Sequence, residues 1–336
     1  MVGIESYGAA LPTLRLPATA YVEAWGACAA RGMKQKAFCA YDEDPVTLGI
    51  EAARQALGRL PASVEIGALF FGVTTPPFEE KPSAATLPTA LFENSAMRVT
   101  EITGSPQAGV QALVSAVEYC MAGKGRYALG VAADAPSGPA DASYEHALGA
   151  AAVAFVVGPD GSVASFENSF SVTRETFGSR FRRHGDDTLS DLELRTRDNL
   201  ASAQALGAEM AASKLGKVKR LALGADAGLM RGVGKALRLP EAETDALWSM
   251  IGDAGSASAP FALAAALDVA RAGEMILCAG IGSGATAALL AAGKELSKRR
   301  RKGAKVANLI AGGKMVDYVT YLKHRRMLSS RFGGNG

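Results

Sequence analysis

The chain has 336 residues, 49% of them hydrophobic and 21% charged, which suits two fused halves around a shared core and excludes a disordered or fibrous polypeptide. Its four cysteines form no C-x-x-C pair and there are three histidines, so neither a disulfide framework nor a zinc site is expected. The formal charge of +3 is uneven: 294–331 carries twelve Lys or Arg against Glu295 and Asp317, leaving the remainder near −7.

The chain opens on a strand, Val2 to Ala9, without the pattern of a secretory signal, and a reducing cytoplasm is the expected compartment. A helix is predicted from Pro17 to Gly26. In Y-D-E-D-P-V-T-L-G-I-E-A-A-R-Q-A-L (41–57), Asp44 is placed to cap and Pro45 to take the first helical position, with Val46, Ile50, Ala53 and Leu57 on one face. The run I-G-A-L-F-F-G-V (66–73) is apolar on both faces, as a strand flanked by helices on each side should be. The loop after it carries Glu79, Glu80 and Lys81 as a charged edge.

From Thr103 the chain reads as a tight turn, a helix from about Gln107 to Met121 and a strand from Tyr127 to Ala133. This helix is small and apolar on most of its circumference, so burial on nearly all sides is expected. Cys120, near its far end, is assigned to packing. The small-residue run 147–158 reads as a strand at a dimer or sheet centre, and the preceding Glu145 and His146 as loop or interface positions. A polar excursion, 165–198, leads to a helix over 199–215, a strand from Val218 and a helix over 230–237. The order turn, Ala-rich helix, glycine and strand then recurs from Ser256 to Gly282 at nearly the spacing of the first copy, which implies a duplicated α/β unit with two central helices.

The start of the first central helix is where backbone N–H groups and the helix dipole would favour an anionic nucleophile. Ser105, Pro106 and Gln107 stand there. The later G-I-G-S-G run (280–284) lies between two strands, a context for a hairpin turn and not for a dinucleotide site. No aromatic residue is interleaved with the charges of 294–305, so nucleic acid is not expected as a partner. The most apolar windows, 147–158 and 285–293, are far shorter than the roughly 20 residues of a bilayer span, and no membrane association is expected.

Several of these stretches together resemble the thiolase superfold, specifically the hydroxymethylglutaryl-CoA synthase family. They are the opening strand, 41–57, E-E-K-P-S-A (79–84), A-G-V-Q-A-L (108–113), G-D-A-G-S-A-S (252–258), G-S-G-A (282–285) and V-D-Y-V-T-Y-L-K-H-R (316–325). The resemblance implies an α/β thiolase fold, duplicated into five layers, α-β-α-β-α, with two central buried helices. It implies an N-terminal half over 1–165, a C-terminal half over 166–290 and a basic segment, 291–336, packing on the core.

In that family a cysteine, a glutamate, a histidine and an asparagine carry the acyl chemistry. The corresponding positions here are Pro106, Thr74, Leu223 and Asp253. Proline offers neither a nucleophile nor a backbone N–H, and each replacement removes an acyl-transfer role. No catalytic residue is therefore expected; Ser105 is the fallback nucleophile, more naturally a helix cap. Arg299, Arg300 and Arg301 are candidate contacts for CoA phosphates, against the alternative of a solvated segment.

With those positions emptied, the chain is similar to the synthase-like component of multi-subunit acyltransferases of the phloroglucinol acetyltransferase type. That likeness implies a catalytically silent subunit without a cofactor of its own, in a complex that handles CoA or acyl-CoA. The implied partners are a thiolase-type catalytic subunit and a small OB-fold protein with a zinc ribbon, around a homodimeric or heterodimeric core. A self-sufficient condensing enzyme with a relocated nucleophile and a CoA-binding regulatory module are the alternatives.

Overall fold

The computed structural model describes residues 1–93, 96–176, 180–191, 195–211, 213, 217–239, 242–300 and 305–328, with the backbone alone at 195, 196 and 299. Its first half runs β1 (Gly3–Ala10), β2 (Leu14–Pro17), α1 (Ala18–Trp25), β3 (Gln35–Ala37), α2 (Pro45–Leu57), β4 (Ile66–Gly72), α3 (Thr86–Leu91), β5 (Arg98–Ile102), α4 (Ala108–Met121), β6 (Tyr127–Asp134) and β7 (Ala151–Gly158). The second half runs β8 (Ala164–Thr173), α5 (Arg195–Ala211), β9 (Val218–Ala222), α6 (Ala227–Ala236), β10 (Glu243–Thr244), α7 (Trp248–Ile251), α8 (Ser258–Val269), β11 (Met275–Ile281) and β12 (Gly284–Ala292). α9 (Leu296–Arg300), α10 (Val306–Ala311), β13 (Lys314–Met315) and α11 (Tyr318–His324) follow.

Ten strands form one sheet in the order β10-β9-β11-β12-β8-β1-β7-β6-β4-β5. It divides into two equivalent sets of five. β5, β4 and β6 are parallel and β7 and β1 antiparallel; in the other set β10, β9 and β11 are parallel and β12 and β8 antiparallel. The sets join where β1 meets β8 through Gly3–Ser165 and Ile4–Ala164. β7, the small-residue run of the sequence, lies between β1 and β6 at a sheet centre.

α2 covers one set and α5 with α6 the other, each over its own apolar cluster, while α4 and α8 lie between the sets. This is the duplicated five-layer arrangement. α2 starts where the sequence places it: Thr47 N–H donates to Asp44 Oδ1 at 2.7 Å and Asp44 N–H to Thr47 Oγ1 at 2.8 Å, a reciprocal cap ahead of Pro45. α4 meets the turn leading into α8 at Gly109, where a Cβ would overlap the Ser256 carbonyl, so the absence of a side chain there is what permits the approach. A three-stranded sheet, β13-β2-β3, carries the later part of the chain back onto the first half. Among the described residues, no helix is long and apolar enough to cross a membrane.

Candidate functional site

The four emptied positions converge. Pro106, Leu223 and Asp253 line a cavity of about 100 Å³, and Thr74 lines an adjoining, more open one of about 500 Å³ together with Ser105 and Pro106. The two share Gly104, Pro106, Arg180 and Ser283. Topology explains the meeting: Thr74 follows β4, Pro106 precedes α4, Leu223 follows β9 and Asp253 precedes α8, the ends where parallel strands deliver their loops.

The start of α4 is fastened to the β11–β12 hairpin. Ser105 Oγ donates to the Gly282 carbonyl at 2.5 Å, Gln107 Nε2 donates to the same oxygen at 3.0 Å, and Gln107 Oε1 accepts from Thr286 Oγ1 at 2.9 Å. The Ser105 hydroxyl proton is thus committed to a carbonyl, and no histidine lines either cavity to withdraw it. Ser105 Oγ also accepts from Gln107 N–H at 3.4 Å, a cap-type contact just ahead of α4, whose N-cap position is Gln107.

Thr74 also has a structural task. Its N–H and hydroxyl donate to Asp134 Oδ2 at 3.1 and 2.5 Å, Ser256 N–H donates to the same oxygen at 2.9 Å, and the Thr75 hydroxyl donates to Oδ1. Asp134 is fully buried, so these charge-assisted bonds tie β4, β6 and the approach to α8 together around one carboxylate. Leu223 packs in the apolar cluster of the second set and can neither donate nor accept a proton. Asp253 accepts from Gly255 N–H at 2.9 Å and Ser258 Oγ at 3.4 Å, and pairs with Arg180 Nη1 at 3.4 Å. Its backbone bonds to Ala147 and Gly149 on the neighbouring segment.

None of the four cysteines lines the cavities. Burial pushes the thiols of Cys39 and Cys120 up to about 12 and 11 and raises that of Cys278 further, which suppresses the thiolate that nucleophilic attack requires. Arg180, Asp134 and Arg182 were missed from the sequence. A lone acid ending the apolar strand V-A-A-D (131–134) and the run R-F-R-R (180–183) were the available signals.

Two other groups of residues singled out in the sequence have structural partners. Arg300 donates to the Asp268 carbonyl at 3.1 Å and to that of Ala270, at the C-terminal end of α8, where a cation complements unpaired carbonyls. Ser258, at the other end of that helix, is the residue that lines the cavity, about 18 Å away. Arg300 therefore has a helix-end role, its guanidinium donating to two main-chain carbonyls. The Arg299 side chain and Arg301 lie outside the described residues. Glu145 and His146, expected in a loop or interface, lie in a 3-10 turn between β6 and β7, and both are buried. Lys36 Nζ lies 2.6 Å from Glu145 Oε1, Tyr21 and Tyr321 donate to the same carboxylate, and His146 stacks on Tyr21 at 3.9 Å. The network closes over the core beneath α11.

No family model matches the chain. It is 29% identical over 338 residues, 97% of its length and 96% of the relative's, to the hydroxymethylglutaryl-CoA synthase of Pyrococcus furiosus. To that of Methanothermobacter thermautotrophicus it is 28% identical, covering 98% and 99% of the two chains. Among solved structures, MvaS in complex with 3-hydroxy-3-methylglutaryl coenzyme A superposes with a TM-score of 0.82 at 22% identity, over 98% of this chain and 92% of that one. The curacin-pathway HMG synthase in complex with acetyl donor-ACP gives 0.83 at 18% identity, over 96% and 88%. The chain is thus similar to hydroxymethylglutaryl-CoA synthases over nearly its full length and shares the fold of the solved ones.

Proposed function

We propose that this chain is a catalytically silent, synthase-like subunit of a thiolase-type complex that forms or cleaves carbon–carbon bonds next to an acyl carbonyl. The observation that carries the reading is Pro106 at the start of α4: a ring without a nucleophile or N–H lines both adjoining cavities, one with Leu223 and Asp253 and the other with Thr74. The roles those positions have taken on, in hydrogen bonding and packing, support a retained framework without acyl-transfer chemistry. Acyl-CoA or an acyl-carrier thioester is the class of ligand handled by the whole complex, in keeping with neighbours solved with coenzyme A and with a donor carrier protein.

A thiolase-type chain supplies the reactive cysteine, and a small OB-fold protein with a zinc ribbon bridges the two. The edge strand β5 is the surface on which a second thiolase-fold chain, identical or different, would continue the sheet. Purification of the native protein tests this. A thiolase-like chain and a zinc-ribbon protein should accompany it, with acyl transfer present in the assembly and absent from the isolated chain. Recovery as a lone, active enzyme would refute the proposal.

A further inference from the structure

The loop 26–34 joins α1 to β3 and backs the smaller cavity. Ala30 and Met33 pack there with Ala147 and with Trp248, and Trp248 lines that cavity. The far end of the loop is held by main-chain bonds, Lys34 N–H to the Ser249 carbonyl at 2.8 Å and Ala18 N–H to the Lys34 carbonyl at 2.9 Å. Its middle is held by a side chain: Ala29 N–H donates to His146 Nδ1 at 2.9 Å.

That bond fixes the state of the imidazole. A ring nitrogen that accepts carries no proton, so the proton of His146 sits on Nε2, 3.1 Å from Asp141 Oδ1. The side chain is 3% exposed and stacks on Tyr21 at 3.9 Å. A proton added at Nδ1 would set two donors against each other and remove the acceptor that Ala29 needs. We propose that His146 is a proton-controlled latch: the neutral ring holds the 26–34 loop against Trp248, and uptake of one proton releases the loop from the cavity wall.

Charged and titratable groups face this ring from each element around it. Asp141 and Glu145 come from its own segment, Tyr21 from α1, Cys28 from the loop, Lys36 from β3 and Tyr318 from α11. Arg31 and Lys34, also on the loop, are exposed. Lys36 lies 2.6 Å from Glu145 and balances it, and Asp253, whose main chain bonds to Ala147, turns its carboxylate to Arg180. Burial holds the His146 pKa below its ordinary 6.5, with Glu145 and Asp141 pulling it up and Lys36 down. Between the lowered value and 6.5 the closed loop keeps a neutral ring and the open one a charged ring. Opening therefore becomes about tenfold more favourable for each pH unit of acidification in that window. Lys36, with its own value at about 8, stays charged throughout it.

The test is hydrogen exchange of the full-length chain between about pH 5 and 8, read by mass spectrometry and corrected for the intrinsic exchange rate. Protection in a peptide spanning 27–34 should fall about tenfold per pH unit below 6.5, while a peptide from α4, 110–117, keeps its protection. His146→Gln offers an amide oxygen to Ala29 and takes up no proton in this range, so protection of its loop should not vary with pH. If that variant does not fold, the wild type decides. With isotope at histidine Cε1, the His146 signal, one of three, should titrate below 6.5 in step with the loss of protection. Protection constant over the range, a fall shared by α4, a His146 signal titrating above 6.5, or a pH dependence that survives His146→Gln would overturn the proposal.

Discussion

Removing the Lys36 ammonium isolates a carboxylate in the interior. Lys36 and Glu145 are 1% and 0% exposed and lie 2.6 Å apart. All three ammonium protons are spent, on Glu145 Oε1, on the Glu145 carbonyl at 2.8 Å and on Tyr321 Oη at 3.1 Å. Lys36→Met leaves the Glu145 carboxylate with the hydroxyls of Tyr21 and Tyr321 as its side-chain partners among the described residues, and such a broken buried pair costs about 3–5 kcal/mol. Lys36→Met with Glu145→Leu removes both charges and orphans two neutral hydroxyls, at about 1–3 kcal/mol each; the double variant should be less destabilised than the sum of its singles. Urea unfolding of the whole chain, followed by circular dichroism at neutral pH, measures the series. Burial also lowers the Lys36 pKa from 10.5 to about 8, with Glu145 partly restoring it. Between those values the unfolded chain holds a proton that the native one has released, so the contribution of this lysine to stability rises with pH across that window. A Lys36→Met protein within about 1 kcal/mol of wild type, well below the cost of a broken buried pair, would refute this description of the core beneath α11.

Gly109→Ala should destabilise by about 1–3 kcal/mol in the same unfolding assay, because the added Cβ overlaps the Ser256 carbonyl in the turn leading into α8. Gly255→Ala should cost at least as much, since Gly255 has φ +55° and its Cβ would overlap the Asp134 carboxylate and meet Arg180 at 3.0 Å. Asp134→Asn should lose about 2 kcal/mol or more, read as a lower unfolding midpoint, by setting an amide among donors that need an acceptor. Pro106→Cys alone should accept no acyl group from acetyl-CoA, as intact-protein mass would show, because no histidine lines either cavity.

The repeat was legible because its signal is compositional: α4 and α8 are small and apolar all round, and few environments other than the interior between two sheets accept such helices. The reciprocal cap at Asp44 and Thr47 was local and therefore equally plain. β5 was missed since a short strand with Arg98 and Glu101 in it looks like loop, and only pairing with β4 makes it a strand. β2, β3 and β13 depend likewise on contacts across the whole chain.

In the site, the emptied positions followed from a motif frame, whereas their new partners did not. That Thr74 bonds to Asp134, or Asp253 to Arg180, depends on loops brought together from distant parts of the chain. The helix-end role of Arg300 depends on the same kind of distant contact, since a basic run has no sequence mark that separates a carbonyl partner from a phosphate. Glu145 is the clearest case: it was read as a loop or interface position, and its burial is possible because Lys36, from far earlier in the chain, reaches it.

The most direct measurement incubates the isolated chain with acetyl-CoA and reads its intact mass and peptide map. A mass unchanged at every side chain, with Ser105 and all four cysteines unmodified, is the outcome that an inert framework requires. An acetyl group found on a residue of the cavity would contradict it.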